Sequence, residues 1–163
     1  VCTATAADGS TIIVPLLDRI YYDSLRAEIP ERYVELDSAD TLSFRESELN
    51  VNTEIEVYRQ ILNIIGYRLR ENSSWTITLK PLSIEEGASD SLRRARANEV
   101  QEYLHRVWSV DISRIHVDMA TSNIQRYSVN TEIGNRANWY VQLVPSDVRL
   151  LRPVRIVSPD ASK

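Results

Sequence analysis

The chain has 163 residues, of which 43% are hydrophobic and 26% are charged, a balance that supports a packed core and excludes global disorder. Lys and Arg number 19 against 23 Asp and Glu, and the net charge of −4 argues against a general nucleic-acid binder, because phosphate binding needs a positive face. The longest apolar run, Ile12 to Leu17, contains Pro15 and is far shorter than the ~20 residues that cross a bilayer, so no membrane insertion is expected from this segment.

Both ends of the chain are polar and predict linkers. Residues 1–10 predict a flexible N-terminal linker, and residues 147–163 predict a C-terminal extension or the start of a second linker. Cys2 cannot close an intrachain disulfide or build a metal site alone. It is a candidate for lipidation, since bacterial lipoproteins begin at a cysteine, or it lies at the edge of a domain cut from a longer protein, which is the simpler account. We therefore expect the domain to span residues 11–146.

The first part of the chain predicts one strand followed by an irregular segment. Residues 11–24 are rich in β-branched and aromatic side chains, which favour a strand. Pro15 would interrupt the hydrogen-bond ladder of a central strand, so the strand that pairs in the sheet is expected from Leu17 to Asp23. Residues 25–50 have no clear period, and they predict an irregular excursion with a short strand near residues 32–36.

A capping box opens the first predicted helix. Thr53 and Glu56 have the spacing at which a hydroxyl and a carboxylate satisfy the free backbone donors of a helix start. Apolar residues then recur at three- and four-residue steps, which predicts a single buried stripe on a helix that ends near Glu71 or Asn72. The stripe comprises Ile55, Tyr58, Leu62, Ile65 and Leu69, and the charged residues off it are Glu54, Arg59, Arg68 and Arg70.

The second half of the chain alternates strands with a further helix. Alternating polarity predicts half-buried strands over residues 74–79, 115–119 and 139–144. Lys80 and Pro81 are expected to end the first of these strands. A helix is expected from about Ser89 to Trp108. The connecting and terminal segments are loops at 81–91 and 120–137 and an extended piece at 148–157 whose pairing stays open.

The order of these elements is β-α-β-α-β-β. It predicts an α+β sandwich in which the helices pack on one face of a mixed sheet. Three tryptophans, Trp75, Trp108 and Trp139, fall in regular elements without a basic groove, so we expect them in the core and not as stacking platforms for bases.

The second predicted helix has a charged residue where an apolar one is expected. Its apolar stripe comprises Leu92, Val100, Tyr103, Leu104 and Val107. At 100° per residue, Arg96 lies almost at the middle of this stripe. A buried unpaired charge is costly, so Arg96 needs an anionic partner, and two alternatives for that partner stay open. Arg96 is either an arginine at the core edge paired with Glu85 or Glu86, or a guanidinium at a pocket floor that takes a ligand carboxylate bidentately.

Several segments resemble the C-terminal domain family of outer membrane protein A, MotB and the peptidoglycan-associated lipoprotein. Residues 92–104, LRRARANEVQEYL, are similar to the family pattern Leu-Ser-x-x-Arg-Ala-x-x-Val-x-x-Tyr-Leu. Residues 19–24 resemble the opening strand, which ends in an aromatic residue and Asp, and residues 61–69 resemble the first helix. Residues 112–115 resemble the approach to the next strand, and residues 138–143 resemble the last strand.

The resemblance implies a non-catalytic domain in the periplasm or at the outer membrane. Such a domain binds the stem peptide of peptidoglycan non-covalently, anchors a larger envelope protein to the cell wall and uses no cofactor. In the family an Asp takes the ammonium of diaminopimelate and the helix arginine takes its carboxylate. Arg96 matches that arginine, and we expect it to contact the ligand.

The family's acidic position is not kept. Ile84 stands where the Asp is expected, so Glu85 or Glu86 becomes the candidate anion, and Arg93 stands where the family has Ser and adds a cation beside Arg96. If neither glutamate points inward, an ammonium would lose a charge-assisted partner worth roughly 1.5–3 kcal/mol. The alternative is then a scaffold that kept the fold and serves protein–protein interaction without binding peptidoglycan.

Catalysis and metal binding find no support among the remaining motifs. His105 and His116 have no Cys, Asp or Glu at zinc-ligand spacing, and both are expected at the surface. No Gly-x-Ser-x-Gly turn is present. The adjacent Glu85 and Glu86 would be candidates for general acid/base work, but a solvated pair on a loop is the commoner arrangement. We therefore expect no enzyme.

Overall fold

The structure, a computed structural model, describes residues 11–49, 53–83, 89–120 and 139–157. Within these residues the strands are β1 (Thr11–Val14), β2 (Arg19–Tyr21), β3 (Ile77–Leu82), β4 (Ile115–Val117), β5 (Tyr140–Pro145) and β6 (Val154–Val157). The α-helices are α1 (Glu54–Arg59), α2 (Ile61–Glu71) and α3 (Asp90–Arg106). Short 3₁₀ turns lie at Asp40–Leu42, Glu46–Glu48, Ile112–Arg114 and Val148–Leu151.

A mixed four-stranded sheet with the order β2-β5-β3-β4 forms the centre of the fold. Strand β5 is antiparallel to β2 and β3, whereas β4 is parallel to β3. The register opposes Ile20 to Val141 and Leu79 to Leu143, which gives the sheet one continuous apolar face. The same buried cluster contains Leu62 of α2 and Val100 of α3. The predicted α+β class, with helices on one face of a mixed sheet, is confirmed.

Strand β3 begins and ends later in the sequence than alternation predicted, and it includes the proline that was expected to end it. β3 spans Ile77–Leu82 instead of residues 74–79. Pro81 opposes Val141 of β5, while the pairing of β3 with β4 stops at Leu79 and Val117. The missing N–H of Pro81 faces the side on which β4 has already ended, so no ladder hydrogen bond is lost.

The segment before Pro15 forms a strand that the sequence analysis discounted. β1 pairs antiparallel with β6 in a separate two-stranded sheet. The extended piece expected at 148–157 is therefore a strand only over Val154–Val157, and its first part forms the 3₁₀ turn Val148–Leu151. This second sheet has its own small core of Val14, Val57, Ile64, Val154 and Ile156. Pro15 therefore separates two strands of different sheets and interrupts neither ladder.

The predicted first helix is divided into α1 and α2 at Gln60. The capping box is confirmed, because Glu56 N donates to Thr53 Oγ1 at 3.4 Å and Thr53 N donates to Glu56 Oε2 at 3.1 Å. The stripe of α2 is buried as predicted, but Ile55 in α1 is 70% exposed, so the expectation of one continuous stripe was wrong. Gln60 has φ −93° and ψ 6°, which interrupts the helical phase between the two segments.

No strand forms near residues 32–36, contrary to the prediction. The backbone groups of this segment bind other parts of the chain: Val34 N donates to Arg59 O at 2.7 Å, and Leu36 N donates to the Tyr103 hydroxyl at 2.8 Å. Because these donors and acceptors are used by helices, no ladder partner is needed. The irregular character predicted for residues 25–50 agrees with the structure over residues 25–49.

Arg68 is buried, although the helical period placed it off the apolar stripe. Its side chain is 1% exposed and forms a bidentate pair with Glu46, with Nε donating to Oε2 at 2.8 Å and Nη2 donating to Oε1. Nη1 also donates to Leu150 O at 2.9 Å and to Arg152 O at 2.7 Å. One guanidinium thus joins the turn at residues 46–48 and the turn at residues 148–151 to helix α2.

Trp108 is fully buried against helix α2. It has no exposed surface, and Trp75 and Trp139 are 7% and 8% exposed, so all three tryptophans are core residues as predicted. Trp108 Nε1 donates to Asn63 Oδ1 at 3.2 Å, and the Tyr103 hydroxyl donates to the same oxygen at 2.5 Å. This buried polar network is hydrogen-bonded and joins α2 to α3.

Candidate functional site

Helix α3 carries Arg96 on its buried face, as the helical period predicts. The helix begins at the N-cap Ser89, whose hydroxyl accepts a hydrogen bond from Leu92 N at 3.1 Å. Val100 and Leu104 pack into the core one and two turns after Arg96, and all three side chains have no exposed surface. The guanidinium is therefore directed into the protein and away from the exposed Arg94.

The buried guanidinium binds the turn that follows β2. Arg96 Nε donates to Arg26 O at 2.7 Å, and Nη2 donates to Asp23 O at 2.9 Å. Its carbon Cζ lies 5.2 Å from the centre of the Tyr22 ring, and the Tyr22 hydroxyl donates to Arg96 O at 3.0 Å. Burial raises the pKa of Tyr22 far above its ordinary value, an effect that the charge of Arg96 only partly opposes, so the phenol remains a neutral donor.

The turn held by Arg96 contains a strained residue. Leu25 has φ 53°, in the left-handed region that a side chain with Cβ adopts at a cost of about 1 kcal/mol or more. Arg26 N donates to Asp23 O at 3.3 Å and closes the turn. Because Arg96 binds carbonyls on both sides of Leu25, it offsets this strain and sets the course of the chain at the end of β2.

A cleft of about 610 Å³ lies beside this turn, and we call it the 23–32 cleft. Its lining residues are Asp23, Arg26, Glu28, Ile29, Pro30, Glu31 and Arg32. Arg32 Nη1 lies 2.9 Å from Asp23 Oδ1, and Arg32 Nη2 donates to Tyr21 O at 2.6 Å. The Asp23 side chain is 56% exposed, so a ligand can reach its carboxylate. The cleft therefore offers carboxylates and guanidiniums side by side.

Arg93 makes contacts of a different kind one turn before Arg96. It is 9% exposed, and its Nη1 lies 2.8 Å from Asp90 Oδ1. Its Nε donates to Pro81 O at 3.3 Å and its Nη2 donates to Met119 O at 2.8 Å, so Arg93 joins α3 to the ends of β3 and β4. Three residues named in the sequence analysis, Ile84, Glu85 and Glu86, lie outside the described residues.

The charged residues of the 23–32 cleft were not singled out from the sequence. Asp23 was noted only as the end of the opening strand, and Arg26 and Arg32 were not considered. A sequence signal does exist, since five of the ten residues from 23 to 32 are charged and of both signs directly after a strand. The backbone contacts of Arg96 could not be anticipated, because they depend on a turn some 70 residues earlier in the chain.

The histidines lie at the surface, as predicted. His105 and His116 are both exposed. Over residues 11–49, 53–83, 89–120 and 139–157, no group of three or more His, Cys, Asp or Glu side chains could hold a metal ion. Among the helices of the same ranges, none combines the length and the apolar character that a membrane span requires.

Comparison with known proteins finds a structural likeness but no match in sequence. No protein-family model matches the chain, and no curated protein matches it. The chain is similar to a solved structure described as the OmpA-like domain of FopA1 from Francisella tularensis subsp. tularensis SCHU S4, with 11% identity and a TM-score of 0.46, over 99% of this chain and 91% of that chain. The strands and helices themselves show an α+β domain built on a mixed sheet.

Proposed function

We propose that this chain is a non-catalytic, OmpA-like cell-envelope domain that binds the stem peptide of peptidoglycan at the 23–32 cleft and so anchors a larger envelope protein. The observation that carries the proposal is the position of Arg96. This arginine, which matches the ligand arginine of the family pattern, holds the turn that lines a cleft of mixed charge.

The charge pattern of the cleft suits the free end of diaminopimelate. That end carries an ammonium and a carboxylate at a fixed separation, so recognition needs one anion and one cation. Asp23 supplies an exposed carboxylate for the ammonium. It takes the role of the Asp of the family pattern, at whose position this chain has Ile84. Arg32 or Arg26 supplies the guanidinium for the carboxylate. In this form of the proposal Arg96 is a positioning residue.

A second form of the same proposal follows the family pattern more closely. In it Arg96 takes the ligand carboxylate directly, Arg93 adds positive charge, and Glu85 or Glu86 receives the ammonium. The two forms differ in which substitution removes the anionic partner of the ammonium. Asp23→Asn weakens binding in the first form, whereas a double substitution of Glu85 and Glu86 by Gln weakens it in the second.

Titration of a diaminopimelate-containing muropeptide into ¹⁵N-labelled protein tests the proposal. We expect amide shifts at residues 23–32, and we expect Asp23→Asn to weaken binding roughly tenfold, since one charge-assisted hydrogen bond is lost. Asp37→Asn is the matched control, because this exposed carboxylate lies outside the cleft. The affinity of this variant for the muropeptide should equal that of the wild type. Arg96→Ala should abolish the shifts, provided that the spectrum still shows a folded protein.

One result would reject peptidoglycan binding. If millimolar muropeptide moves no amide and the protein does not sediment with purified sacculi, neither form of the proposal stands. The second candidate function would then hold, namely a scaffold for protein–protein interaction. A specific observation favours it: Arg96 has no exposed surface, and two of its donors are used by main-chain carbonyls, so this arginine has a structural role without any ligand.

A further inference from the structure

A second cleft, of about 480 Å³, lies between β2 and helix α1, and we call it the β2–α1 cleft. Its lining residues are Leu17, Arg19, Tyr21, Arg32, Tyr33, Ile55, Tyr58, Arg59 and Ile61. It shares only Arg32 with the 23–32 cleft. The proposed function makes no use of it.

Exposed apolar side chains border the β2–α1 cleft. Ile55 is 70% exposed and Leu17 is 44% exposed, and both line the same concave surface. Single exposed apolar residues are common, but two of them beside three tyrosines in one cleft are typical of an interaction site. Because the helix breaks at Gln60, α1 has a helical phase separate from that of α2, and Ile55 faces solvent instead of the core.

The charges of this lining are all of one sign. It contains the three arginines Arg19, Arg32 and Arg59 and no carboxylate, in a chain whose net charge is −4. The Cζ atom of Arg32 lies 5.4 Å from the centre of the Tyr33 ring, and that of Arg19 lies 4.6 Å from the centre of the Tyr140 ring. Their carboxylate partners, Asp23 and Asp18, do not line the cleft. A basic and apolar surface on an acidic domain selects a partner of complementary charge.

Arg59 is the arginine best placed for a partner. It is exposed, its Nε donates to Arg32 O at 3.3 Å, and no carboxylate of the described residues forms an ion pair with it. An acidic group that approaches α1 therefore meets a guanidinium that does not have to give up an existing ion pair. The outcome is a net gain in charge pairing on binding.

The edge of β2 is blocked at the same place. Tyr21 N donates to the Tyr33 hydroxyl at 2.9 Å, and Tyr21 O accepts from Arg32 Nη2 at 2.6 Å. A partner strand cannot use these outward backbone groups without displacing both side chains. Recognition at the cleft therefore has to proceed through side chains, and an added β-strand is disfavoured.

We propose that the β2–α1 cleft docks a partner protein through an acidic segment that carries one large apolar side chain. The apolar side chain enters between Ile55 and Tyr58, where it finds a concave apolar lining. Carboxylates on either side of it meet Arg32 and Arg59. This arrangement, a buried apolar anchor within a charged rim, is the usual distribution of binding energy in protein interfaces.

An NMR titration with a defined peptide tests this proposal. The probe is a capped peptide with a central tryptophan flanked on each side by two glutamates, and the comparison peptide has lysines in place of the glutamates. We expect amide shifts at Leu17, Tyr21, Ile55 and Arg59 with the acidic peptide only. Ile55→Ser and Arg59→Glu should each weaken binding at least about fivefold, through loss of the apolar contact and reversal of the charge.

Two matched substitutions control for nonspecific effects. Val148→Ser removes an exposed apolar side chain that is outside the cleft, and Arg94→Glu reverses an exposed arginine of α3, and neither should change the affinity. Equal binding of the lysine peptide, or no shifts at millimolar acidic peptide, would overturn the proposal. So would self-association that Ile55→Ser abolishes, since a second copy would then be the occupant. Ile55→Ser should leave the muropeptide titration unchanged, because Ile55 does not line the 23–32 cleft, and this separates the two proposals.

Discussion

Replacement of Arg68 by alanine should lower the free energy of unfolding by about 3–5 kcal/mol. The substitution leaves the Glu46 carboxylate, whose side chain is only 14% exposed, without its bidentate partner. It also removes the donor that binds Leu150 O and Arg152 O. The loss of the carboxylate's partner and the loss of the hydrogen bonds to the two carbonyls both destabilise the folded state, and the cost is largest where the groups are shielded from water. Urea denaturation followed by tryptophan fluorescence measures the change.

Two further variants separate burial from charge. Arg149→Ala removes an ion pair with Asp147 at 2.7 Å that is exposed to solvent, so the denaturation midpoint should remain close to that of the wild type. Arg68→Lys keeps the positive charge but cannot form the planar fork that reaches the carboxylate and the carbonyls together, and it should fall between wild type and Arg68→Ala. If Arg68→Ala behaves like Arg149→Ala, the buried pair does not hold the two turns to α2.

The regular elements were the predictable part of the fold. The capping box at Thr53, the stripe of α3 and the alternation of the central strands each depend on neighbours within a few residues, and local periodicity encodes such neighbours directly. The same reasoning predicted the α+β class, although it missed β1 and the division of the first helix at Gln60. Errors of a few residues at strand ends, such as the inclusion of Pro81 in β3, arise because pairing with a specific partner decides where a strand stops.

Contacts between distant parts of the chain were not predictable by periodicity. β1 pairs with β6 from the other end of the described residues, and Arg68 is buried only because Glu46, Leu150 and Arg152 surround it. For β1, the proline that follows it argues against a strand. For Arg68, the charge of the guanidinium favours a position in solvent. The observed environment is the opposite in both cases. Long-range pairing overrides local preference at these positions.

The candidate site divides in the same way. The inward direction of Arg96 follows from helical geometry and was predicted from the sequence alone. Its hydrogen bonds to Asp23 O and Arg26 O depend on a turn in which Leu25 has a left-handed backbone conformation, and no sequence pattern predicts this turn. The β2–α1 cleft was likewise not predictable, because its lining combines residues 17–21, 32–33 and 55–61, which only the folded chain brings together. Both clefts are therefore products of tertiary structure.

Replacement of Gly66 by alanine is the second substitution with a large expected effect. A Cβ atom at this position would lie 2.3 Å from Cγ of Trp108 and 2.5 Å from both Cδ1 and Cδ2, far inside van der Waals contact. In an exposed helix the same change stabilises by about 1 kcal/mol, because alanine has the higher helix propensity. At Gly66 the added methyl group overpacks the core, so the substitution should destabilise the protein instead of stabilising it. We expect the free energy of unfolding to fall by about 3 kcal/mol or more.

Trp108 has little freedom to relieve this clash. Its indole Nε1 donates to Asn63 Oδ1 at 3.2 Å, the Phe44 ring centre lies 5.2 Å from its ring centre, and the Arg70 guanidinium lies 4.9 Å from the same ring. Movement away from Gly66 would therefore break a buried hydrogen bond or compress two other contacts. The backbone of α2 has to shift instead, which spreads the cost over the contact between α2 and α3.

A double-mutant cycle isolates the contact. In a Trp108→Leu background the smaller side chain leaves room for a methyl group, so Gly66→Ala should destabilise much less than it does in the wild type. Asn98→Ala, at an exposed position of α3, is the control for helix propensity alone and should leave stability unchanged or slightly higher. A gain in stability for Gly66→Ala in the wild-type background would mean that the indole does not pack on this glycine, and the close contact of Trp108 with α2 would then be wrong.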